Sequence, residues 1–87
     1  MLRINQVEDG TGLTLRLEGK LLQPWVAEVE AACGEWMTGG RALRLDLASV
    51  SFVDEAGAKL LTTLLGRGAA LVACSNFVVA LLHRERP

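Results

Sequence analysis

Residue types that carry out most enzyme chemistry are few in this sequence, and they are widely spaced. His83 is the single histidine, and it lies near the C-terminus among charged residues. Nucleophilic catalysis needs a hydroxyl or thiol, a base and an orienting group brought together. Ser49, Ser51, Ser75 and Asp54 are scattered along the chain, and their spacing suggests no such arrangement. We therefore expect that the protein is not an enzyme.

The two cysteines are the remaining groups that could bind a metal or form a redox pair. Cys33 and Cys74 are far apart, and neither belongs to a CxxC or CxxH motif, so the spacing indicates neither a zinc site nor disulfide exchange. Each lies in an apolar segment, where cysteine usually behaves as a small hydrophobic residue. We expect two reduced thiols, no metal and no cofactor.

Charge and hydropathy exclude further classes of protein. Nine basic and ten acidic residues give a formal net charge of −1, which offers no basic surface for nucleic acid. The apolar stretches end well short of the roughly 18 residues that cross a bilayer, and the polar N-terminus is unlike a signal peptide. We expect one domain over residues 1–87, in the cytoplasm and without direct membrane insertion.

Hydrophobic periodicity predicts seven elements in the order ββαβαβα. Alternating apolar residues on both sides of a turn at residues 8–12 indicate a β-hairpin, and a helix follows from Pro24 to Gly39. The later elements are a strand at residues 43–47, a leucine-rich helix that begins at Asp54, a buried strand at residues 69–74 and a helix that begins at Ser75 or Asn76.

The connections and the alternation together predict the fold class. Strand–helix–strand connections join parallel neighbours, whereas the hairpin strands are antiparallel. Polar or charged residues at every second position of three strands indicate that only one face of the sheet is covered. We expect an α/β fold with a mixed sheet of about four strands and helices mainly on one face.

The segment from Leu43 to Leu61 resembles the central motif of STAS domains. In that family, a strand of the type apolar-Asp-Leu-Ser-x-Val leads through Phe-apolar-Asp-Ser-Ser-Gly into a leucine-rich helix. The residues that fit this pattern are Asp46, Leu47, Val50, Phe52, Val53, Asp54, Gly57 and Leu61. The resemblance implies a STAS-like fold that is truncated at the C-terminus, because fuller members continue with a further strand and helix.

The resemblance also implies a bacterial regulatory domain that acts by binding another protein. Anti-sigma factor antagonists of this family bind an anti-sigma factor kinase and so free a sigma factor. A second expectation within the family is an accessory subunit that binds the ATPase of a lipid-transporting ABC system of the Mla type. The short C-terminus favours a homodimer or permanent docking. A small-ligand-binding module, with a pocket between sheet and helices, is the alternative from another class.

The expected partner-binding surface combines a loop at residues 49–53 with the helix start at residues 54–62. Asp54 is expected to cap this helix, Gly57 to permit close packing, and Glu55 and Lys59 to form an exposed pair one turn apart. The candidate contact residues are Ser51, Asp54, Glu55, Ala56, Ala58, Lys59 and Thr62.

Ala56 is the main departure from the family pattern. In anti-sigma factor antagonists, the hydroxyl residue just before the motif glycine is phosphorylated by the partner kinase, and this breaks the complex. An alanine has no hydroxyl, so the usual switch is not expected at its usual place. The sequence leaves open whether a hydroxyl elsewhere replaces it; the candidates are Ser49, Ser51, Thr62 and Thr63.

Overall fold

Two antiparallel strands joined by a tight turn begin the chain in the computed structural model, which describes residues 2–40 and 42–85. Strands and helices follow in the predicted order ββαβαβα, which is thereby confirmed. The elements are β1 (Leu2–Asp9), β2 (Gly12–Leu21), α1 (Gln23–Thr38), β3 (Ala42–Val53), α2 (Glu55–Gly66), β4 (Ala70–Cys74) and α3 (Asn76–Glu85).

The four described strands form one mixed sheet in the order β1-β2-β3-β4. Strand β2 is antiparallel to β1 and parallel to β3, and β3 is parallel to β4. Helices α1 and α2 make the two parallel connections, since a crossover is needed to return the chain in the same direction. The predicted mixed α/β sheet is therefore confirmed, and the ends of β2 and β3 lie side by side, with Leu21 opposite Val53.

One hydrophobic core joins the sheet to all three helices. Alternate leucines of the two central strands are almost fully buried, whereas Arg16 and Glu18 between them form an ion pair with an N–O distance of 3.2 Å. The buried leucines share a single cluster with residues of every helix, as the one-faced sheet requires. Its helical members include Val29, Cys33, Leu60, Leu61, Leu64 and Val78. No described helix is long and apolar enough to cross a membrane.

Strand β3 is much longer than predicted, and this changes the expected loop at residues 49–53. The strand continues to Val53, and its pairing with β2 shifts register between Arg16 and Glu18 and again between Gly19 and Lys20. Each shift places one extra β3 residue opposite β2, as in a β-bulge. The bulges break the period-two pattern, which is why the segment resembled a loop in the sequence.

Strand β4 was predicted to be buried, and that prediction is wrong. Ala70, Leu71 and Val72 are exposed, because β4 lies at the edge of the sheet and pairs with β3 alone among the described strands. An uninterrupted apolar run indicates a strand but does not give its position in the sheet.

Candidate functional site at the start of helix α2

Most of the predicted partner-binding residues lie together, at the end of β3 and on the first two turns of α2. Ser51, Glu55, Lys59 and Thr62 are exposed, and Ala56 is partly exposed. Lys59 Nζ lies 3.9 Å from Glu55 Oε1 across one helical turn, and both side chains project into solvent. An exposed pair of this kind contributes only about 0.3–0.5 kcal/mol to stability, so both charges are available to a binding partner.

Ala58 was predicted to belong to this exposed surface, and the structure contradicts that prediction. The residue is only 3% exposed and packs in the hydrophobic core. Ala58 lies three residues from both Glu55 and Leu61, at the boundary between the exposed side and the buried stripe of α2, and its short side chain falls on the buried side. The exposed side of α2 therefore follows Glu55, Lys59 and Thr62 without Ala58.

Asp54 fixes the position of the helix start through both oxygens of its carboxylate. Oδ1 accepts a hydrogen bond from the Gly57 backbone N–H at 2.8 Å, which is the predicted N-cap of α2. Oδ2 accepts from the Gln23 N–H, also at 2.8 Å, at the first residue of α1. The Asp54 N–H in turn donates to the Leu21 carbonyl oxygen at 3.1 Å. Asp54 thus connects the starts of α1 and α2 with the ends of β2 and β3.

Gly57 lets α2 pack closely against the ends of these strands. A Cβ atom at this position would lie 2.8 Å from the Leu21 carbonyl oxygen and 2.8 Å from Val53 Cγ1. Both neighbours are held by the sheet, so an added methyl group would push the helix away from it. The contact confirms the predicted close approach at this glycine. Together with Asp54, it holds the exposed turn of α2 at a defined place on the rim.

Two phenylalanines add an exposed aromatic patch that the sequence analysis missed. Phe52 and Phe77 are 42% and 37% exposed, and their ring centroids are 5.4 Å apart. Phe77 is the second residue of α3. The patch connects the end of β3, just before Asp54, with the start of α3. Its only sequence signal was a large aromatic residue beside each helix start.

The hydroxyl groups near the site differ in how they are used. Ser75 donates to the Val50 carbonyl oxygen at 2.6 Å and accepts from the Val78 N–H at 3.3 Å, so it is the cap of α3. Ser51 donates a longer bond of 3.3 Å to the Gly19 carbonyl oxygen and is exposed. Ser49, Thr62 and Thr63 are exposed as well. Ala56 provides no hydroxyl before Gly57.

The hairpin turn at the opposite end of β2 is a second polar cluster. Asp9 Oδ1 accepts from the Thr11 N–H at 2.8 Å and from the Thr11 hydroxyl at 2.6 Å, while Arg44 binds Oδ2 at 2.9 Å. The hydrogen bonds from Thr11, aided by Arg44, lower the pKa of Asp9 from 3.8 to about 2. A shallow cleft of about 310 Å³ lies between this turn and Trp36 of α1. It is separate from the surface on α2.

The cysteines occupy different environments. Cys33 is buried in the core, and burial raises its pKa to about 11, whereas Cys74 is half-buried with a pKa that burial also raises. Neither shift favours a reactive thiolate. Among residues 2–40 and 42–85, no His, Cys, Asp and Glu side chains group as a metal site. The side chain of His83 lies outside the described part of the chain.

The fold and the motif at α2 together define the family. The STAS domain family model matches residues 3–84, and the chain belongs to this family. The anti-sigma factor antagonist SpoIIAA in its unphosphorylated form is 15% identical, with a TM-score of 0.77, over 94% of this chain and 79% of that chain. An anti-sigma factor antagonist from Mycobacterium paratuberculosis is 19% identical, with a TM-score of 0.81, over 97% of this chain and 77% of that chain.

A similar fold also occurs inside a larger protein. The crystal structure of Mglu is 25% identical to this chain, with a TM-score of 0.63 over 79% of it, but the match covers only 18% of Mglu. Comparison with curated proteins finds no match. The family model thus shows the family, and the structural neighbours share its fold.

Proposed function

We propose that this chain is a bacterial, cytoplasmic docking domain that binds a regulatory protein through the exposed face of α2. The observation that carries the proposal is the fixed presentation of Glu55, Lys59 and Thr62. Asp54 and Gly57 anchor the helix start from within, while the three outward side chains contribute little to the fold. Surfaces that are held rigid before binding lose less conformational freedom when a partner docks.

The proposed partner is an anti-sigma factor kinase, because two anti-sigma factor antagonists share the fold over nearly the whole of this chain. The domain would occupy the surface that the kinase uses to hold a sigma factor, and the sigma factor would be released. No catalytic step by this chain is required. Since Ala56 replaces the hydroxyl residue of the motif, we propose that phosphorylation at this position does not reverse the complex.

Ala56 also favours a second candidate function, as an accessory subunit bound to the ATPase of a lipid-transporting ABC system. A permanent subunit needs no phosphorylation to leave its partner. The same face of α2 would then provide the contact, and the two candidates differ in the identity of the protein that is bound. They are distinguished by identifying that protein.

The test is quantitative affinity capture from a lysate of the native cell, with mass spectrometry of the bound proteins. Glu55→Lys reverses a charge in the proposed contact, and Thr62→Arg adds bulk and charge one turn beyond Lys59. Glu35→Lys is the matched control, because it lies twelve residues along α1 from Gln23 and hence about 18 Å from the anchored helix start.

We expect one protein to be at least tenfold depleted with both α2 variants and retained with Glu35→Lys. A kinase-like anti-sigma factor supports the first candidate, and an ABC ATPase supports the second. Equal capture of every specific partner by wild type and both α2 variants would show that the contact lies elsewhere. Thermal melting of each variant within about 2 °C of the wild type would show that the fold is unchanged, as expected for exposed positions.

A further inference from the structure

Both phenylalanines of this chain lie at the surface and contact each other. Phe52 is 42% exposed and Phe77 is 37% exposed, and the planes of their rings are inclined by 38°. A phenylalanine stabilises a domain most when it is fully buried, so these two contribute less to the core than their size allows. Aromatic side chains are enriched at the centres of protein interfaces. The pair is therefore a candidate contact with another protein.

The backbone on both sides of the pair is held in place by Ser75. Its Oγ donates to the Val50 carbonyl oxygen at 2.6 Å and accepts from the Val78 N–H at 3.3 Å. These two bonds tie the end of β3, which carries Phe52, to the first turn of α3, which carries Phe77. Aromatic side chains on a backbone that is fixed before binding lose little conformational freedom when a partner covers them.

The rings lie within reach of any protein that contacts the start of α2. Phe52 precedes Glu55 by three residues, so their Cα atoms are at most about 11 Å apart. A standard interface covers about 800 Å² on each partner, which is a patch about 30 Å across. Because the centroid of Phe77 is only 5.4 Å from that of Phe52, a contact centred on Glu55 extends over both rings.

The area of the two rings favours a share in this larger contact over an interface of their own. Exposed fractions of 42% and 37% correspond to roughly 120–200 Å². Two copies of the chain that met through this patch alone would bury roughly 240–400 Å², far below the roughly 1,200 Å² of a small stable interface. A protein that docks on α2 covers the rings and the helix start together.

Charged side chains of opposite sign lie beside the rings. Lys20 is exposed and pairs in register with Phe52, and paired residues of neighbouring strands face the same side of the sheet. The side chain of Glu55 is 88% exposed, and its 3.9 Å pair with Lys59 is weak enough to be exchanged for another cation. A complementary surface therefore carries an apolar side chain with an acidic group and a basic group beside it.

We infer that the Phe52–Phe77 pair is the apolar anchor of the α2 docking surface, against which the partner protein places one large aliphatic or aromatic side chain. An acidic group of the partner pairs with Lys20, and a basic group pairs with Glu55. The inference rests on the proposed binding of a partner by α2. It extends that surface to one ring on α3 and one charge on β2, neither of which belongs to the motif at residues 43–61.

The test is isothermal titration calorimetry with the purified protein that the wild type captures and Glu55→Lys loses. Phe52→Ala and Phe77→Ala should each weaken binding at least about tenfold, as the loss of a central aromatic contact does. Lys20→Glu should weaken it at least about threefold at low salt, and by less in about 0.5 M salt. A purely structural role of the rings would not respond to the Lys20 substitution.

Val79→Ala is the matched control on the same helix. Val79 is 43% exposed and lies about 200° around α3 from Phe77, so its removal should change the dissociation constant by less than about twofold. Phe52→Leu keeps a large apolar side chain and should bind within about fivefold of the wild type, which separates a lost contact from a changed fold. Thermal melting checks that each variant is folded at the temperature of the titration.

The outcomes separate this inference from the proposed function. If Phe52→Ala and Phe77→Ala bind within about twofold of the wild type while Glu55→Lys fails to bind, the anchor is overturned and the α2 contact stands. If the wild type captures no protein that Glu55→Lys loses, the α2 contact is overturned, and the anchor with it. Loss of binding with both ring variants and retention with Val79→Ala would support the anchor.

Discussion

Substituting Asp54 by alanine should destabilise the domain by loosening the starts of two helices at the rim of the sheet. The carboxylate accepts from the Gly57 and Gln23 backbone N–H groups, each at 2.8 Å. Asp54→Ala leaves both donors without their acceptor and removes the link between the starts of α1 and α2. The fold does not collapse, because the core cluster of leucines is not touched.

The expected magnitude comes from the two bonds. Loss of an N-cap side chain costs about 0.5–2 kcal/mol, and the second bond, to a charged acceptor, adds about 1 kcal/mol because the site is partly exposed. Asp54→Ala should therefore lower the free energy of unfolding by about 1.5–3 kcal/mol. The melting temperature should fall by about 6–24 °C for a domain of this size.

Urea titrations and thermal melting of three variants measure this effect. Asp54→Asn retains one acceptor oxygen and should lose about 1 kcal/mol. Glu55→Ala removes the neighbouring exposed carboxylate, whose ion pair is weak, and should change stability by less than about 0.5 kcal/mol. If Asp54→Ala is no less stable than Glu55→Ala, the carboxylate does not hold the two helices and the account of the helix start is wrong.

Three further predictions concern a glycine, the thiols and a carboxylate. Gly57→Ala puts a Cβ 2.8 Å from the Leu21 carbonyl oxygen and should cost about 1–3 kcal/mol in urea titrations. Cys74 should react with a disulfide reagent in the folded protein well before Cys33, whose pKa burial raises to about 11. Asp9 has a pKa lowered to about 2, so its stabilising contribution should be complete above about pH 4 and lost as pH falls toward 2.

Each of these predictions has its own control. Gly66→Ala adds a methyl group where nothing lies within 4 Å, and it should leave stability nearly unchanged; an equal loss at both glycines would refute the close-contact explanation. Denatured protein should show equal reactivity of the two thiols, and equal rates in the folded state would contradict the burial of Cys33. Asp9→Asn should lose less stability than the wild type between about pH 4 and 2; identical acid titrations would contradict the low pKa.

Local sequence signals predicted the element order and the sheet type because each signal has a local physical cause. Alternating leucines, the turn at residues 8–12 and the cap at Asp54 are set by neighbouring residues. Whether β4 lies at the centre or the edge of the sheet depends instead on whether another strand pairs with its second side. An apolar run like residues 69–74 suits a central strand as well as an edge strand, so its composition does not distinguish the two positions.

The candidate site was predicted less completely than the fold. The helix start and its exposed charges were expected from spacing, but the extra residues of β3 changed which side chains face solvent. Phe52 is exposed near the end of β3, and its contact with Phe77 joins residues that are far apart in sequence. Asp54 also accepts a hydrogen bond from the Gln23 N–H at the start of α1, and this bond requires the ends of β2 and β3 to lie side by side. Ala58 lies at the boundary between the exposed and buried sides of α2, where helical spacing alone does not decide burial.

Binding of a partner protein by the exposed face of α2 can be tested by titrating the purified partner, once captured, into ¹⁵N-labelled protein and following the amide chemical shifts. We expect the largest shift changes between Ser51 and Thr62, and we expect Glu55→Lys to abolish them while Glu35→Lys does not. Changes confined to the hairpin turn at Asp9, or to β4, with α2 unaffected, would contradict this proposal.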